Sequence, residues 1–196
     1  WSWNFGDPAS GGNNVSTLQN PTHTFTTTGS FNVSLTVTNC FNFTDNVVYI
    51  VNTSSGPVVD AGAPQTICNG SSATFTASGA TTYLWSTGAT TTSITVNPGA
   101  TITYTVTGTT AGCTASDNVV LTVNPIPNVD AGAPQTICNG SSATFTASGA
   151  TSYLWSTGAV TPSITVNPTV NTTYSVTGTS LGCSATDEVS LTVNPL

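Results

Sequence analysis

The chain has no lysine, no arginine and no methionine among its 196 residues. Without cations it cannot neutralise phosphates, so binding to nucleic acid is excluded for this segment. The same absence removes salt bridges, cation–π contacts and lysine–asparagine isopeptide crosslinks, and leaves trypsin nothing to cut. Charge comes only from Asp7, Asp45, Asp60, Asp117, Asp130, Asp187 and Glu188. No run of eighteen apolar residues exists, so no membrane insertion is expected of this segment. Histidine occurs once, as His23, and no cysteine or histidine cluster has zinc-ligand spacing. No serine or cysteine nucleophile motif accompanies His23. Asp187 and Glu188 adjoin each other in sequence and do not form the facing carboxylate pair of a glycosidase. Neither an enzyme nor a cofactor is expected.

What is present is repetition. The 22 residues "DAGAPQTICNGSSATFTASGAT" run from Asp60 to Thr81 and again, letter for letter, from Asp130 to Thr151. The match extends without a gap over 59–125 and 129–195, with fourteen differences. A period of 70 residues divides the chain into small units: 1–55, 56–125 and 126–196. Enzymes seldom need a second copy of a segment without catalytic side chains; rods and fibres need many.

Threonine and valine dominate and favour strands. Alternation sets Ala73, Phe75 and Ala77 on one face against Thr74 and Thr76. It likewise sets Ile102, Tyr104 and Val106 against Thr103 and Thr105, and Val119, Leu121 and Val123 against Val120 and Thr122. The second copy keeps Tyr174, Val176, Val189, Leu191 and Val193 inward, but has Ser175 for Thr105 and Ser190 for Val120 outward. Apart from Thr172 in place of Ile102, tolerable if that position ends a strand, inward faces are held and outward faces drift. Asn69-Gly70 and Asn139-Gly140 suit type I′ hairpins between the first two strands of each copy. Pro98 and Pro168 should end a short strand. Short strands with a turn every eight to twelve residues indicate an all-β chain of β-sandwiches, with no helix. "VNPIPNVDAGAP" reads as a short, stiff connector.

The first 52 residues differ. "WNFGDP" at 3–8, "NPTHTF" at 20–25, Gly29 and "VSLTVTN" at 33–39 resemble a PKD (polycystic kidney disease) domain, an Ig-like sandwich. Pro8 stands where that family usually has glycine. The resemblance implies two strands before Trp3 that this sequence does not contain, and places His23 in a structural turn. In the two copies, "YLWSTGATT", "TYTVTG" and Gly112-Cys113 resemble Ig-like repeats of large surface and gliding-motility adhesins of Bacteroidota. Together these imply tandem Ig-like β-sandwich domains in a secreted or cell-surface chain of many modules.

Five cysteines remain. Cys68 and Cys113, like Cys138 and Cys183, lie 45 residues apart within a copy. Regular cysteine pairs without metal spacing read as disulfides and hence as an oxidising, extracellular setting. Cys68–Cys113 and Cys138–Cys183 within each copy are expected, because each copy is then self-sufficient; such a loop contributes roughly 4 kcal/mol in the chain-entropy model. The rival is Cys68–Cys183 across the joint, since the first and last turns of a simple sandwich lie at opposite ends. Cys40 reads as an orphan whose partner would precede Trp3.

Other features are weighed more briefly. Asp60 with Asp117, and Asp130 with Asp187 and Glu188, are candidate calcium ligands if loops bring them together, although solvated loop ends account for them as well. Trp3, Trp85 and Trp155 suit core packing better than a sugar platform. Seven glycosylation sequons, at Asn14, Asn32, Asn42, Asn52, Asn69, Asn139 and Asn171, are largely what this composition gives by chance. The expected function is a structural or adhesive segment of a secreted or cell-surface bacterial protein, forming a filament or stalk. Its partners would be its own neighbouring repeats, and surface polysaccharide is a further candidate. The alternative is a carbohydrate-binding accessory region of a secreted hydrolase.

Overall fold

A computed structural model describes residues 1–195. The first module comprises β1 (Ser2–Asn4), a short 3-10 helix (Pro8–Asn14), β2 (Val15–Ser16), β3 (Gly29–Thr38) and β4 (Thr44–Thr53). Its strands form one sheet in the order β2-β1-β3-β4. The middle module comprises β5 (Gln65–Cys68), β6 (Ala73–Thr76), β7 (Thr82–Trp85), β8 (Ser93–Val96), β9 (Ile102–Thr110) and β10 (Cys113–Asn124). The last module repeats that series as β11 (Gln135–Cys138), β12 (Ala143–Thr146), β13 (Ser152–Trp155), β14 (Ser163–Val166), β15 (Thr172–Ser180) and β16 (Cys183–Asn194).

Each repeat is a two-sheet sandwich. In the middle module β5-β10-β9-β7 packs over the pair β6-β8, and in the last β11-β16-β15-β13 packs over β12-β14. Alternation explains the layers. Ala73 and Phe75 are buried on β6 while Thr74 and Thr76 face outward, and Trp85, Tyr104, Val106, Val119 and Leu121 close the core from the opposite sheet. The last module has the same core in Phe145, Trp155, Tyr174, Val176, Val189 and Leu191. The chain is thus nearly all-β: two tandem Ig-like sandwiches preceded by a module whose described strands form a single sheet.

Outward faces are held by hydroxyls in place of charges. Thr74 and Thr95 share a hydrogen bond of 2.8 Å, Thr76 and Ser93 one of 2.8 Å, and Thr107 and Ser116 one of 2.9 Å. Where the second copy has Thr186 for Ser116, the bond persists from Thr177 at 3.0 Å. Part of the outward drift is therefore hydroxyl-for-hydroxyl.

Three expectations change. Asn69-Gly70 does not make a type I′ hairpin. Only Gly70 has positive φ, at 85°, the Ser71 N–H donates to the Cys68 carbonyl, and this fits a turn that needs a left-handed residue only at its third position. Nor do β5 and β6 pair with each other, because the turn carries the chain from one sheet to the other: β5 pairs in parallel with β10 and β6 with β8. A 3-10 helix occupies Pro8–Asn14, started by a proline at its first turn. Finally, Asp117, Asp187 and Glu188 lie inside β10 and β16 and not in loops.

Candidate functional site: the stapled junction

Cys68 is the last residue of β5 and lies opposite Asn124, the last residue of β10. Cys113 begins β10, eleven residues earlier. At about 3.3 Å per residue the two cysteines of one copy are about 35 Å apart, whereas a disulfide needs Cα atoms within about 7 Å. The pairings Cys68–Cys113 and Cys138–Cys183 are therefore not formed. The structure instead joins Cys68 to Cys183 of the next repeat, with Cα atoms 5.6 Å apart and a sequence separation of 115. Cys183 follows the tight β15–β16 turn, where Leu181 and Gly182 both have positive φ.

Hydrogen bonds hold the same joint. The Asn124 Nδ2 donates to the Leu181 carbonyl at 2.8 Å, and the Asn69 N–H donates to the Asn124 carbonyl at 2.9 Å. Cys183 is buried. One strand end, one hairpin and one asparagine thus make a closed junction. The remaining cysteines are unpaired: Cys40 and Cys138 are exposed and Cys113 is half-buried. Cys40 lies in the β3–β4 hairpin, as Cys183 lies at the β15–β16 hairpin, and Cys138 ends β11 as Cys68 ends β5.

The carboxylates proposed for calcium are engaged with backbone. Asp117 Oδ2 accepts the Ala61 N–H at 2.9 Å and Asp187 Oδ2 accepts the Ala131 N–H at 2.8 Å. Asp60 and Asp130 turn back to accept the N–H groups of Gly62 and Gly132, both at 2.8 Å. The Ala61 and Asn118 N–H groups hold the Asp117 carboxyl below its ordinary range against an opposing effect of burial. Glu188 stands in β16 opposite Ser175. No group of three histidine, cysteine or acidic side chains could hold a metal among the described residues.

Composition gave no signal for a buried polar pair in the first module. Asp7 is 1% exposed. Its carboxylate accepts the Thr26 N–H at 3.1 Å and the Thr26 hydroxyl at 3.2 Å, and lies 3.3 Å from His23 Nε2. Among the described residues this is the one side-chain contact at salt-bridge distance, ionic when His23 is protonated. Burial alone would push the Asp7 carboxyl up; the hydrogen bonds from Thr26 and His23, with the His23 charge, leave it below its ordinary range. His23 stacks on Phe5 with centroids 4.2 Å apart and meets the edge of Phe25 at 4.7 Å. A cleft of about 380 Å³ lies beside it, lined among others by Phe5, Val15, Leu18 and Pro21. Trp85 and Trp155 are structural: they are 1% and 2% exposed, and their indole N–H groups donate to the Thr91 and Thr161 carbonyls. Trp3 is half-buried and donates to the Leu18 carbonyl, while Trp1 is half-exposed.

The fold and junction define a chain of Ig-like modules with a covalent crosslink between consecutive repeats. Residues 1–51 match the PKD domain family. Among solved structures, an I-band fragment of titin is similar at 15% identity, covering 73% of this chain and 67% of that one, with a TM-score of 0.45. Immunoglobulin domains 1–4 of Sidekick-1 are similar at 14% identity, covering 88% and 60%, with a TM-score of 0.42. Extracellular domains 3–5 of Drosophila OTK are similar at 11% identity, covering 84% and 71%, also with a TM-score of 0.42. No curated protein matches the chain.

Proposed function

We propose that this chain is a load-bearing structural or adhesive segment of a secreted or cell-surface protein, forming a filament or stalk, with modules at 1–55, 56–125 and 126–196. The observation that carries the reading is the Cys68–Cys183 bond, which ties one repeat to the next and not to itself. A catalytic or ligand-binding module gains little from a fixed joint; a rod gains direction and stiffness. Two unpaired cysteines repeat the halves of that joint. Cys40 presents the hairpin half of such a junction and Cys138 the strand-end half. Disulfides persist in oxidising compartments, which supports an extracellular location. The resemblance of "YLWSTGATT", "TYTVTG" and Gly112-Cys113 to adhesin repeats is what suggests a surface adhesin of the kind found in Bacteroidota, with neighbouring repeats as partners and no catalysis of its own.

Electron microscopy of the chain under oxidising and reducing conditions tests this. Straight particles about 100 Å long, from three sandwiches of about 30 Å each, that bend at one joint after reduction are the expected result. Particles equally bent in both conditions, or a compact body, would overturn it.

A further inference from the structure

The repeats show how their outer sheet is finished. β5 lies parallel to β10, pairing Leu121 with Gln65, Thr122 with Thr66, Val123 with Ile67 and Asn124 with Cys68. β11 finishes β16 in the same register, from Gln135 opposite Leu191 to Cys138 opposite Asn194. In both repeats the added strand reads Gln-Thr-Ile-Cys.

The first module has the receiving strand without its partner. "DNVVYIVN" in β4, from Asp45 to Asn52, repeats "DNVVLTVN" in β10, from Asp117 to Asn124, at six of eight positions. β4 pairs with β3 on one side, and among the described residues nothing pairs with its other edge. Its inward face is open as well: Val119 and Leu121, packed in the middle module against β6 and β8, are 1% and 0% exposed, whereas their counterparts Val47 and Tyr49 are 41% and 63% exposed. Ile50 is 67% exposed. An apolar edge strand whose one charge, Asp45, lies near its start is a template for another strand.

A second unsatisfied group lies at the same place. Cys113, the hairpin cysteine of the middle module, has no disulfide partner, and its Sγ is 3.6 Å from the hydroxyl of Ser54, just beyond β4. Its counterpart Cys183 meets the end of β10 and bonds the strand lying there. One strand therefore satisfies both features at the second junction, and both stand open at the first.

We propose that the β4 edge and Cys113 form a socket for a parallel strand of the Gln-Thr-Ile-Cys kind, whose cysteine lies opposite Asn52 and bonds Cys113. In this geometry the strand's cysteine completes Cys113, and Cys40 is left for a separate strand end of the same kind. The covalent step is a thiol–disulfide exchange. The Cys113 thiolate attacks the strand cysteine held as a mixed disulfide with a small thiol, the new S–S bond forms, and the small thiol leaves with the electron pair and takes up a proton. The inference concerns how one sheet is completed and stands apart from the rod reading.

The test adds the peptide DAGAPQTICNG, its cysteine carried as a glutathione mixed disulfide, to the full chain. Adducts are located by non-reducing mass mapping after a non-tryptic digest, and amide exchange is followed across Thr44–Thr53. Docking raises the local concentration of the peptide, so Cys113 is expected to react on the order of tenfold faster or more than Cys40 and Cys138. β4 is expected to gain protection, and a scrambled peptide should lose both effects. With Cys113→Ser the protection should persist without the adduct. Equal reaction at the three cysteines with no protection of β4 would overturn the proposal, as would β4 protection arising from a dimer of the chain without peptide.

Discussion

Cys68 and Cys183 are bonded across the joint between repeats, and the segment between them, a sequence separation of 115, includes most of both sandwiches. Tension entering through β5 passes through the sulfur bridge into β16 and bypasses the enclosed cores. Single-molecule pulling of the oxidised chain should therefore give a short final contour. Reduction, or Cys183→Ser, should add roughly 400 Å at about 3.5 Å per residue. Equal contours before and after reduction would show that the bridge does not carry the load.

Asp117 links stability to pH. Its carboxylate accepts the Ala61 and Asn118 N–H groups and its pKa lies below the ordinary 3.8. A depressed folded-state value stabilises the fold above the unfolded pKa, and that stabilisation disappears as pH falls through the folded value. Thermal melts between about pH 6 and pH 2 should show the middle module level down to the ordinary carboxylate range and weakening below it. In Asp117→Asn the module should start less stable and lose part of that slope. An unchanged slope would place the acid response elsewhere.

The strands and their inward faces were legible because period-2 alternation needs no partner: Ala73, Phe75, Val119 and Leu121 point inward wherever the sheet sits. The disulfide was not legible, because it depends on which strand pairs with which. Once β5 is parallel to β10, Cys68 must lie at the far end of the sheet from Cys113; as a hairpin partner of β6 it would have been placed differently. Asp7 escaped for a related reason. Nothing in "FGDPAS" reveals that Thr26 and His23, sixteen and more residues away, will converge on its carboxylate. Local pattern shows which face is buried, and long-range pairing decides which polar groups meet.

Trp85 and Trp155 fill the two repeat cores. Changing either to alanine should cost about 3–5 kcal/mol and unfold its own repeat first, which exchange-monitored unfolding would resolve module by module. Because both rings are buried, soluble saccharides should leave their fluorescence unshifted. A saccharide-induced shift that survives Trp1→Ala and Trp3→Ala would revive the carbohydrate-binding reading.

Gly79 has φ of +87° and its α-carbon faces the Val58 carbonyl so closely that any Cβ would collide with it. Gly149 repeats this against Asn128. Gly79→Ala combines a left-handed backbone with a backbone clash, two penalties of about 1–3 kcal/mol each. It should displace the strand entering the middle module and break the Asp60–Ser78 bridge. Rapid amide exchange at Asp60 and Ser78, with Gly70→Ala as an uncrowded control at similar φ, would confirm that the close approach and not the φ angle dominates. Equal effects at the two positions would reverse that ranking.

Asp7 receives the Thr26 N–H, the Thr26 hydroxyl and His23 inside a small aromatic cluster. Asp7→Ala would leave those donors buried without an acceptor, which costs more than the net worth of the bonds themselves. The segment from His23 to Thr26 should loosen, with faster amide exchange at Thr26 and an earlier melting first module. Asp7→Asn retains one acceptor oxygen and should fall between the two. Because the Asp7 pKa is lowered in the fold, the wild-type module should also lose stability as pH falls below the ordinary carboxylate range, and Asp7→Ala should be insensitive there. Unchanged Thr26 exchange in Asp7→Ala would mean that the Phe5–His23–Phe25 stack holds this module by packing alone.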